Sequence, residues 1–227
     1  MAVKFSGAFS QAGCVKFSGS TSIASDPHWA QTLVLINGDT NPWYANVANP
    51  GIYLNAAVTA SATSGKFGKG LTFTDVATLP ILHNMPSIAG DFTAEMWINN
   101  PGTSDTNHYL LSSSGGLYDH TLFINGTQVG SHFTNNATYI PGAIVPIGVW
   151  SHVALVRSSG VFSMYLNGTR VATNQLTGTV SINGLGRHVQ YDTTYMFKGA
   201  VDDIRISTVA RYTGDTYTVP TEPFPVG

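Results

Sequence analysis

The sequence predicts an all-β protein built as a single sandwich or barrel, and two observations lead to this prediction. Only 10% of the 227 residues are charged, while 11% are aromatic and 24 are glycine. Helices draw mainly on Ala, Glu, Lys and Leu, whereas aromatic and β-branched residues favour strands. From Asp26 onward, short β-prone segments alternate with Gly, Pro and Asn turns, and no segment has convincing helical periodicity.

Alternating polarity locates the central strands. In the segment Phe92–Ile98 every second residue is apolar, and successive side chains of a strand point to opposite faces, so these apolar residues share one face. The segments Val149–Arg157 and Val201–Ser207 have similar β-prone sequences. We therefore predict strands at all three positions.

Two Asn-Gly pairs predict β-hairpins. Asn125-Gly126 and Asn167-Gly168 each lie between two β-prone runs. This dipeptide tolerates the positive φ angles of a type I′ turn, which is a common connection between antiparallel strands. The two pairs therefore predict two tight hairpins within one domain that spans residues 26–227.

The first 25 residues differ from this pattern and predict an extended N-terminal arm over residues 1–25. The sequence Val3–Gly7 returns as Val15–Gly19, and Ser and Gly separate its isolated aromatic residues. Two apolar anchors at a fixed spacing suit an arm that becomes ordered when it docks on another subunit. A flexible tail with a chance repeat is the alternative. The residues predicted to dock are Phe5, Cys14 and Phe17.

Charge and cysteine content exclude several functions. The formal net charge is −2, whereas electrostatic binding of nucleic acid requires a basic excess. Cys14 is the only cysteine, so neither an intrachain disulfide nor a cysteine-based metal site is expected. The apolar run Leu33–Ile36 is far too short to cross a bilayer, and no membrane insertion is predicted.

Several residue strings resemble a known family. The strings, in chain order, are Asp26–Trp29 with Leu33–Ile36, Lys66–Phe73, Asp91–Ile98, Trp150–Arg157 with Leu166–Gly168, Gly199–Ile206 with Ala210–Gly214, and Thr218–Phe224. Together they resemble the laminin-G-like branch of the concanavalin A-like jelly rolls, especially modules of bacteriophage structural proteins. The resemblance implies a two-sheet antiparallel jelly-roll sandwich over residues 26–227, and the arm at residues 1–25 lies outside it.

The resemblance also implies a function, which the residues do not determine by themselves because this fold hosts many activities. The expectation is a non-enzymatic bacteriophage virion protein, a capsid decoration subunit at the virion surface. Its expected partners are capsid or other virion proteins and further copies of itself, in a closed homo-oligomer such as a trimer. The alternative is a glycan-binding adhesion module of a phage tail or fibre, or a secreted lectin, that binds host-surface glycans.

The acidic residues argue against an enzyme. Glycosidases need two carboxyl groups that face one glycosidic bond, and the chain has only two glutamates, Glu95 and Glu222. Asp202 and Asp203 are adjacent, so we expect them to point to opposite faces of a strand. We expect both to form hydrogen bonds at the end of that strand. We expect Glu95 to be either a buried structural carboxylate or a residue on a solvent-facing surface. No catalytic residue is predicted.

Three polar segments hold candidates for a glycan site. Sugars are recognised by aromatic faces beside amide and carboxylate groups. The candidate glycan-binding residues are Tyr109, Tyr118, Asp119, His120 and Tyr191. No cofactor is required by the sequence, although a calcium ion would be compatible with oxygen ligands in turn-like segments. The weak calcium candidates are Asp105, Asp119 and Asp192, and ordinary loop aspartates are the favoured interpretation of all three.

Overall fold

A computed structural model describes residues 25–55, 60–73, 81–102, 107–113, 121–133, 138–175, 178–188 and 195–227. The predicted arm contacts at Phe5, Cys14 and Phe17 lie outside these ranges. A short 3₁₀ turn at Trp29–Gln31 precedes the first strand. The strands are β1 Thr32–Ile36, β2 Tyr53–Leu54, β3 Ala60–Ser64, β4 Lys69–Phe73, β5 Leu82–His83, β6 Phe92–Asn99, β7 Asn107–Ser112, β8 Thr121–Asn125, β9 Gln128–Phe133, β10 Thr138–Ile144, β11 Trp150–Ser158, β12 Val161–Leu166, β13 Thr169–Gln175, β14 Gly184–Leu185 and β15 Ala200–Ser207.

The predicted all-β sandwich is confirmed. An eight-stranded sheet has the order β13-β12-β11-β6-β15-β4-β3, with β1 also paired to β15, and a five-stranded sheet has the order β10-β9-β8-β7-β14. Strands β2 and β5 form a separate two-stranded ribbon. Every named pairing is antiparallel, for example β6 with β11. The two large sheets pack face to face, which is the arrangement of a jelly-roll sandwich.

The hydrophobic core lies between the two large sheets. Ala94, Met96 and Ile98 of β6 face it, as the alternation predicts, and Leu122 and Ile124 of β8 face it from the other sheet. All five side chains are fully buried. Burial of each of the four larger side chains among these five contributes about 1.5–3 kcal/mol, so the core supplies the main favourable free energy of folding.

The two predicted hairpins form, with different turns. Asn167 and Gly168 both have positive φ, 47° and 80°, which matches the predicted type I′ turn between β12 and β13. In the β8–β9 hairpin, Asn125 pairs with Gln128, so the connecting residues are Gly126 and Thr127. Of these two, only Gly126 has positive φ, and the type I′ prediction for this turn is therefore wrong.

A β-bulge corrects the expected geometry of the adjacent aspartates. The register of β15 against β6 shifts between Asp202 and Arg205, and Asp203 has φ of 46°. An extra residue in one strand re-aims the side chains that follow it. As a result Asp202 and Asp203 both reach the outer side of the eight-stranded sheet, and the prediction that they point to opposite faces is wrong.

The segment after β15 covers that outer side. The phenol of Tyr165 donates a hydrogen bond to the carbonyl oxygen of Gly214 at 2.8 Å, and Tyr212 and Tyr217 stack with ring centroids 3.7 Å apart. These tyrosines pack on Ala154 and other small or aromatic residues of the sheet. The domain therefore has a second, smaller core beneath its C-terminal segment.

Asn46 attaches the segment between β1 and β2 to the edge of the sheet. Its amide nitrogen donates to the carbonyl oxygens of Leu33, Asn49 and Ile52 at 2.8–2.9 Å. Its carbonyl oxygen accepts from the backbone N–H of Leu35 at 2.9 Å. The residue is 5% exposed, so water cannot replace these bonds if the side chain is removed.

We expect Asn46→Ala to lower the free energy of unfolding by about 2–3 kcal/mol, because it leaves buried backbone groups without partners. Urea denaturation measures this change. The control is Asn37→Ala, which removes a half-buried amide whose oxygen accepts a single hydrogen bond within the described residues, from the backbone N–H of Asp39 at 3.2 Å. A loss of stability that is equal in the two variants would contradict the anchoring role of Asn46.

Candidate functional site

An aromatic cluster occupies the outer face of the five-stranded sheet. It comprises Tyr109 of β7, Phe123 of β8, His132 of β9, and His188 and Tyr195 from the connection that follows β14. The Tyr109 ring lies 6.0 Å from Phe123 and 4.8 Å from His188 between ring centroids. Phe123 and His132 are 4.7 Å apart. Leu122 and Ile124, on either side of Phe123, face the core. Because side chains alternate along a strand, Phe123 itself points to the outer face, where the other cluster residues lie.

Tyr109 does not occupy the position that the sequence prediction gave it. The prediction placed its ring at a loop rim where a sugar could stack, whereas the side chain is 1% exposed. It contacts Phe123, His188 and Tyr195. A ring without exposed surface offers no face to a ligand, so the role of Tyr109 is to pack against the other residues of the cluster.

The other predicted glycan and calcium residues lie outside the described part of the chain. These residues are Asp105, Tyr118, Asp119, His120, Tyr191 and Asp192. Their attachment points are described. His188 and Tyr195, which flank residues 189–194, both contact the Tyr109 ring, and residues 114–120 connect β7 to β8. Residues 189–194 are therefore flanked in sequence by two cluster residues, and residues 114–120 join the strands that carry Tyr109 and Phe123.

Burial shapes the electrostatics of this cluster. It lowers the pKa of both His132 and His188, because a charged imidazolium is disfavoured away from water. Both rings are therefore neutral at neutral pH. Across the ranges that the structure describes, no group of three or more His, Cys, Asp or Glu side chains is arranged to hold a metal ion.

A buried ionic network lies on the outer face of the other sheet, beneath the C-terminal segment. The Arg205 guanidinium contacts Glu95 Oε1 at 2.8 Å and Asp26 Oδ2 at 3.3 Å. Arg211 contacts the same Asp26 oxygen at 2.8 Å. The phenol of Tyr212 donates to Glu95 Oε2 at 2.7 Å. Two cations thus balance two carboxylates, and Glu95 is the buried structural carboxylate of the two predicted alternatives.

His152 completes this network as a neutral residue. Its Nδ1 lies 2.5 Å from the Tyr217 hydroxyl and its Nε2 lies 3.5 Å from Glu95 Oε2. Burial lowers the pKa of His152 to about 4, although the nearby Glu95 carboxylate opposes the shift. His152 and Glu95 are both 0% exposed, so neither group can reach a substrate in this structure.

Asp202 and Asp203 are also buried and bond to the backbone. Asp202 Oδ2 accepts from the N–H of Phe67 at 2.9 Å, and Asp203 Oδ2 accepts from the N–H of Phe224 at 2.9 Å. Burial raises the pKa of Asp202 to about 6 and that of Asp203 to about 7. Within the described part of the chain, Asp203 Oδ1 is buried without a hydrogen-bond partner. These carboxyl groups attach loops to β15, as the predicted strand-end role requires.

Two concave surfaces lie away from the aromatic cluster. A cleft of about 540 Å³ is bounded by the proline-rich C-terminal segment 220–225 and by Arg205 and Arg211, whose charges are already balanced by Asp26 and Glu95. The second is a pocket of about 340 Å³ between β1 and β2, lined in part by Tyr44 and Tyr53. No sequence pattern predicts this pocket, although two tyrosines within ten residues are a weak signal of it.

None of the described helical segments is long and apolar enough to cross a membrane.

Comparison with known proteins identifies the family. The Laminin_G_3 family model, described as the concanavalin A-like lectin/glucanases superfamily, matches residues 67–213. That range includes strands of both large sheets, the aromatic cluster and Glu95. A comparison with curated protein sequences finds no significant match.

Solved structures share the fold at low sequence identity. Domain 4 of AbnA, an extracellular arabinanase from Geobacillus stearothermophilus, in complex with arabinotriose, is 18% identical, with a TM-score of 0.59 over 79% of this chain and 93% of that domain. A Trypanosoma rangeli sialidase in complex with 2,3-difluorosialic acid is 15% identical, with a TM-score of 0.59 over 81% of this chain and 31% of its own. The binding domain of botulinum neurotoxin DC in complex with SialylT is 12% identical, with a TM-score of 0.59 over 81% and 49%. The chain thus spans less than half of the latter two proteins, and the likeness concerns the fold.

We expect Asp203→Asn to stabilise the protein at pH 8 and to stabilise it less at pH 5. The raised pKa means that the native state retains a proton between about pH 4 and 7 that the unfolded state has released, so the wild type loses stability as pH rises through this window. The side-chain amide of the variant does not titrate, so the variant does not lose stability in this window. Urea denaturation at both pH values should show the advantage of the variant smaller by about 2–3 kcal/mol at pH 5 than at pH 8.

The wild type contains an opposing contribution from His152, whose low native pKa reduces stability as pH falls from about 6.5 to 4. Because both proteins contain His152, this contribution cancels in the difference between them. The control is Asp215→Asn, at a side chain that is 82% exposed. An Asp203→Asn effect of equal size at both pH values would show that Asp203 does not titrate in this range.

Proposed function

Because the chain belongs to the concanavalin A-like lectin/glucanase superfamily, we propose that it is a non-enzymatic, glycan-binding sandwich. One observation carries the proposal. Residues 189–194 follow His188 and precede Tyr195 of the aromatic cluster, and residues 114–120 join the strands that carry its Tyr109 and Phe123. These two segments hold most of the predicted sugar-recognition residues. Aromatic and polar groups collected on one surface are what sugar binding requires, since pyranoses present apolar faces and hydroxyl edges.

The buried carboxylates support a binding role rather than hydrolysis. Glu95 is committed to Arg205 and Tyr212, and Asp202 and Asp203 bond to backbone N–H groups. A glycosidase needs an acid and a nucleophile or base at the scissile bond. These three side chains are 0% exposed and do not supply such a pair. The complexes of similar domains named above, with arabinotriose and SialylT, agree with glycan binding as a use of this fold.

A glycan array tests this function. We expect saturable binding to a defined set of glycans, with no release of reducing sugar from the bound ligands. Binding should fall at least tenfold in Tyr118→Ala and in Asp119→Ala, because they remove a predicted stacking face and a predicted hydroxyl acceptor. Asp215→Ala is the matched control, since it removes an exposed carboxylate from the C-terminal segment on the other sheet. An array without signal, recorded with folded protein, would exclude the proposal.

A second candidate is a structural role in a bacteriophage virion, as a decoration subunit on the capsid. The observation that favours it is an exposed apolar segment from the end of β10 to the start of β11, where Ile144, Ile147 and Val149 are 69%, 57% and 54% exposed. Clustered exposed apolar side chains are typical of protein contact surfaces. In this role this segment and residues 1–25 would contact capsid proteins or further copies of the chain, and the sandwich would face outward.

Immunogold electron microscopy tests the virion role. Antibody against residues 26–227 should place gold over the heads of virions that carry this protein, and deletion of residues 1–25 should abolish particle binding without unfolding the domain. Gold at the tail would favour adhesion through glycans over decoration. Unlabelled particles would exclude the virion role, and binding by the truncated protein would exclude the arm as the anchor.

A further inference from the structure

An exposed aromatic platform lies at the two-stranded ribbon, away from the aromatic cluster. Tyr53 of β2 pairs with His83 of β5, and their rings stack with centroids 5.0 Å apart and planes inclined by 13°. Tyr53 is 48% exposed. One face of the tyrosine ring therefore rests on the imidazole, while the ring keeps a large accessible surface.

The platform borders the pocket of about 340 Å³ between β1 and β2. This volume is near the lower end of ligand pockets, which suits a single small ring rather than a long peptide. Ile52 and Leu54 contribute apolar, buried residues to the lining, at 4% and 2% exposure. Tyr44 adds a second aromatic side chain to the lining.

The pocket is held in place before any ligand binds. Asn46, one of its lining residues, uses its amide to bond the carbonyl oxygens of Leu33 and Ile52. The amide of Asn84 donates to the carbonyl oxygen of Gly51 at 3.0 Å, which ties the segment before β2 to the residue after β5. Such preorganisation reduces the entropy lost when a ligand binds.

The chemistry of the lining is amphipathic and uncharged. Its described residues are Pro42, Tyr44, Ala45, Asn46, Pro50, Ile52, Tyr53 and Leu54, and none of these carries a charge at neutral pH. An apolar lining beside an exposed aromatic face suits the C–H face of a sugar ring, and phenol and backbone groups suit its hydroxyls. A charged ligand would enter this pocket without a counter-charge.

We propose that the pocket formed by Tyr44, Tyr53 and the Asn46-anchored segment binds one neutral pyranose ring, stacked on the free face of Tyr53. This site rests on the proposed glycan-binding function and adds a second subsite to it. It is separate from the aromatic cluster, because its residues come from the edge of the eight-stranded sheet and from the β2–β5 ribbon.

Titration with methyl glycosides of glucose, galactose, mannose and N-acetylglucosamine tests the site, with N-acetylneuraminic acid as the anionic comparison. We expect at least one neutral glycoside to bind and the anionic sugar to bind more weakly. Tyr53→Ala should lower the affinity about tenfold, because it removes the stacking face. Tyr53→Phe, which keeps that face, should retain affinity within about twofold. Ile147→Ala is the matched control for loss of an exposed apolar side chain.

A measurement on the wild type makes the test independent of whether the variants fold. Intermolecular nuclear Overhauser effects should connect ring protons of the bound glycoside to those of Tyr53. Binding of a neutral glycoside without such contacts, undiminished affinity in Tyr53→Ala, or a preference for the anionic sugar would each overturn the site. If glycans bind on the array but no monosaccharide binds here, the pocket fails alone. If neither binds, the glycan-binding function fails with it.

Discussion

The ion pair between Glu95 and Arg205 is the interaction on which the organisation of the larger sheet depends. It joins adjacent strands β6 and β15 beneath the C-terminal segment, and Asp26 extends it to the residues that precede β1. Removal of one partner from a buried pair leaves an uncompensated charge, which costs about 3–5 kcal/mol. Both ends of the domain are therefore held to the sheet by one balanced set of charges, with the Phe224 ring 3.6 Å from the Arg205 guanidinium carbon.

This arrangement divides the outer surfaces of the sandwich between two roles. The C-terminal segment covers the outer face of the eight-stranded sheet, and polar residues of that face form hydrogen bonds to it. Glu95 accepts a hydrogen bond from the phenol of Tyr212, and Asp203 accepts one from the backbone N–H of Phe224. The two glycan subsites that we propose lie at the five-stranded sheet and at the connections along the sheet edge, where aromatic side chains are gathered.

The bulge at Asp203 shows where prediction from local sequence patterns fails. Alternation along 201–207 correctly predicts the strand, but it assigns Asp203 to the wrong face because one extra residue shifts the register against β6. Such a shift depends on the residues of the partner strand, so the local sequence alone does not predict it. Tyr109 illustrates the same difficulty, since a tyrosine in a polar segment resembles a surface residue until its sheet neighbours are known.

The sequence by itself determined the fold class, the central strands and the hairpin at Asn167-Gly168. These features follow from side-chain alternation and from backbone preferences at positive φ, which act over a few residues. Only the tertiary structure decided which polar residues are buried and which aromatic residues meet. Tyr53 and His83, for example, are thirty residues apart and stack only because β2 pairs with β5. Such contacts depend on long-range strand pairing, whose register is set by the burial of the whole sandwich rather than by either segment alone.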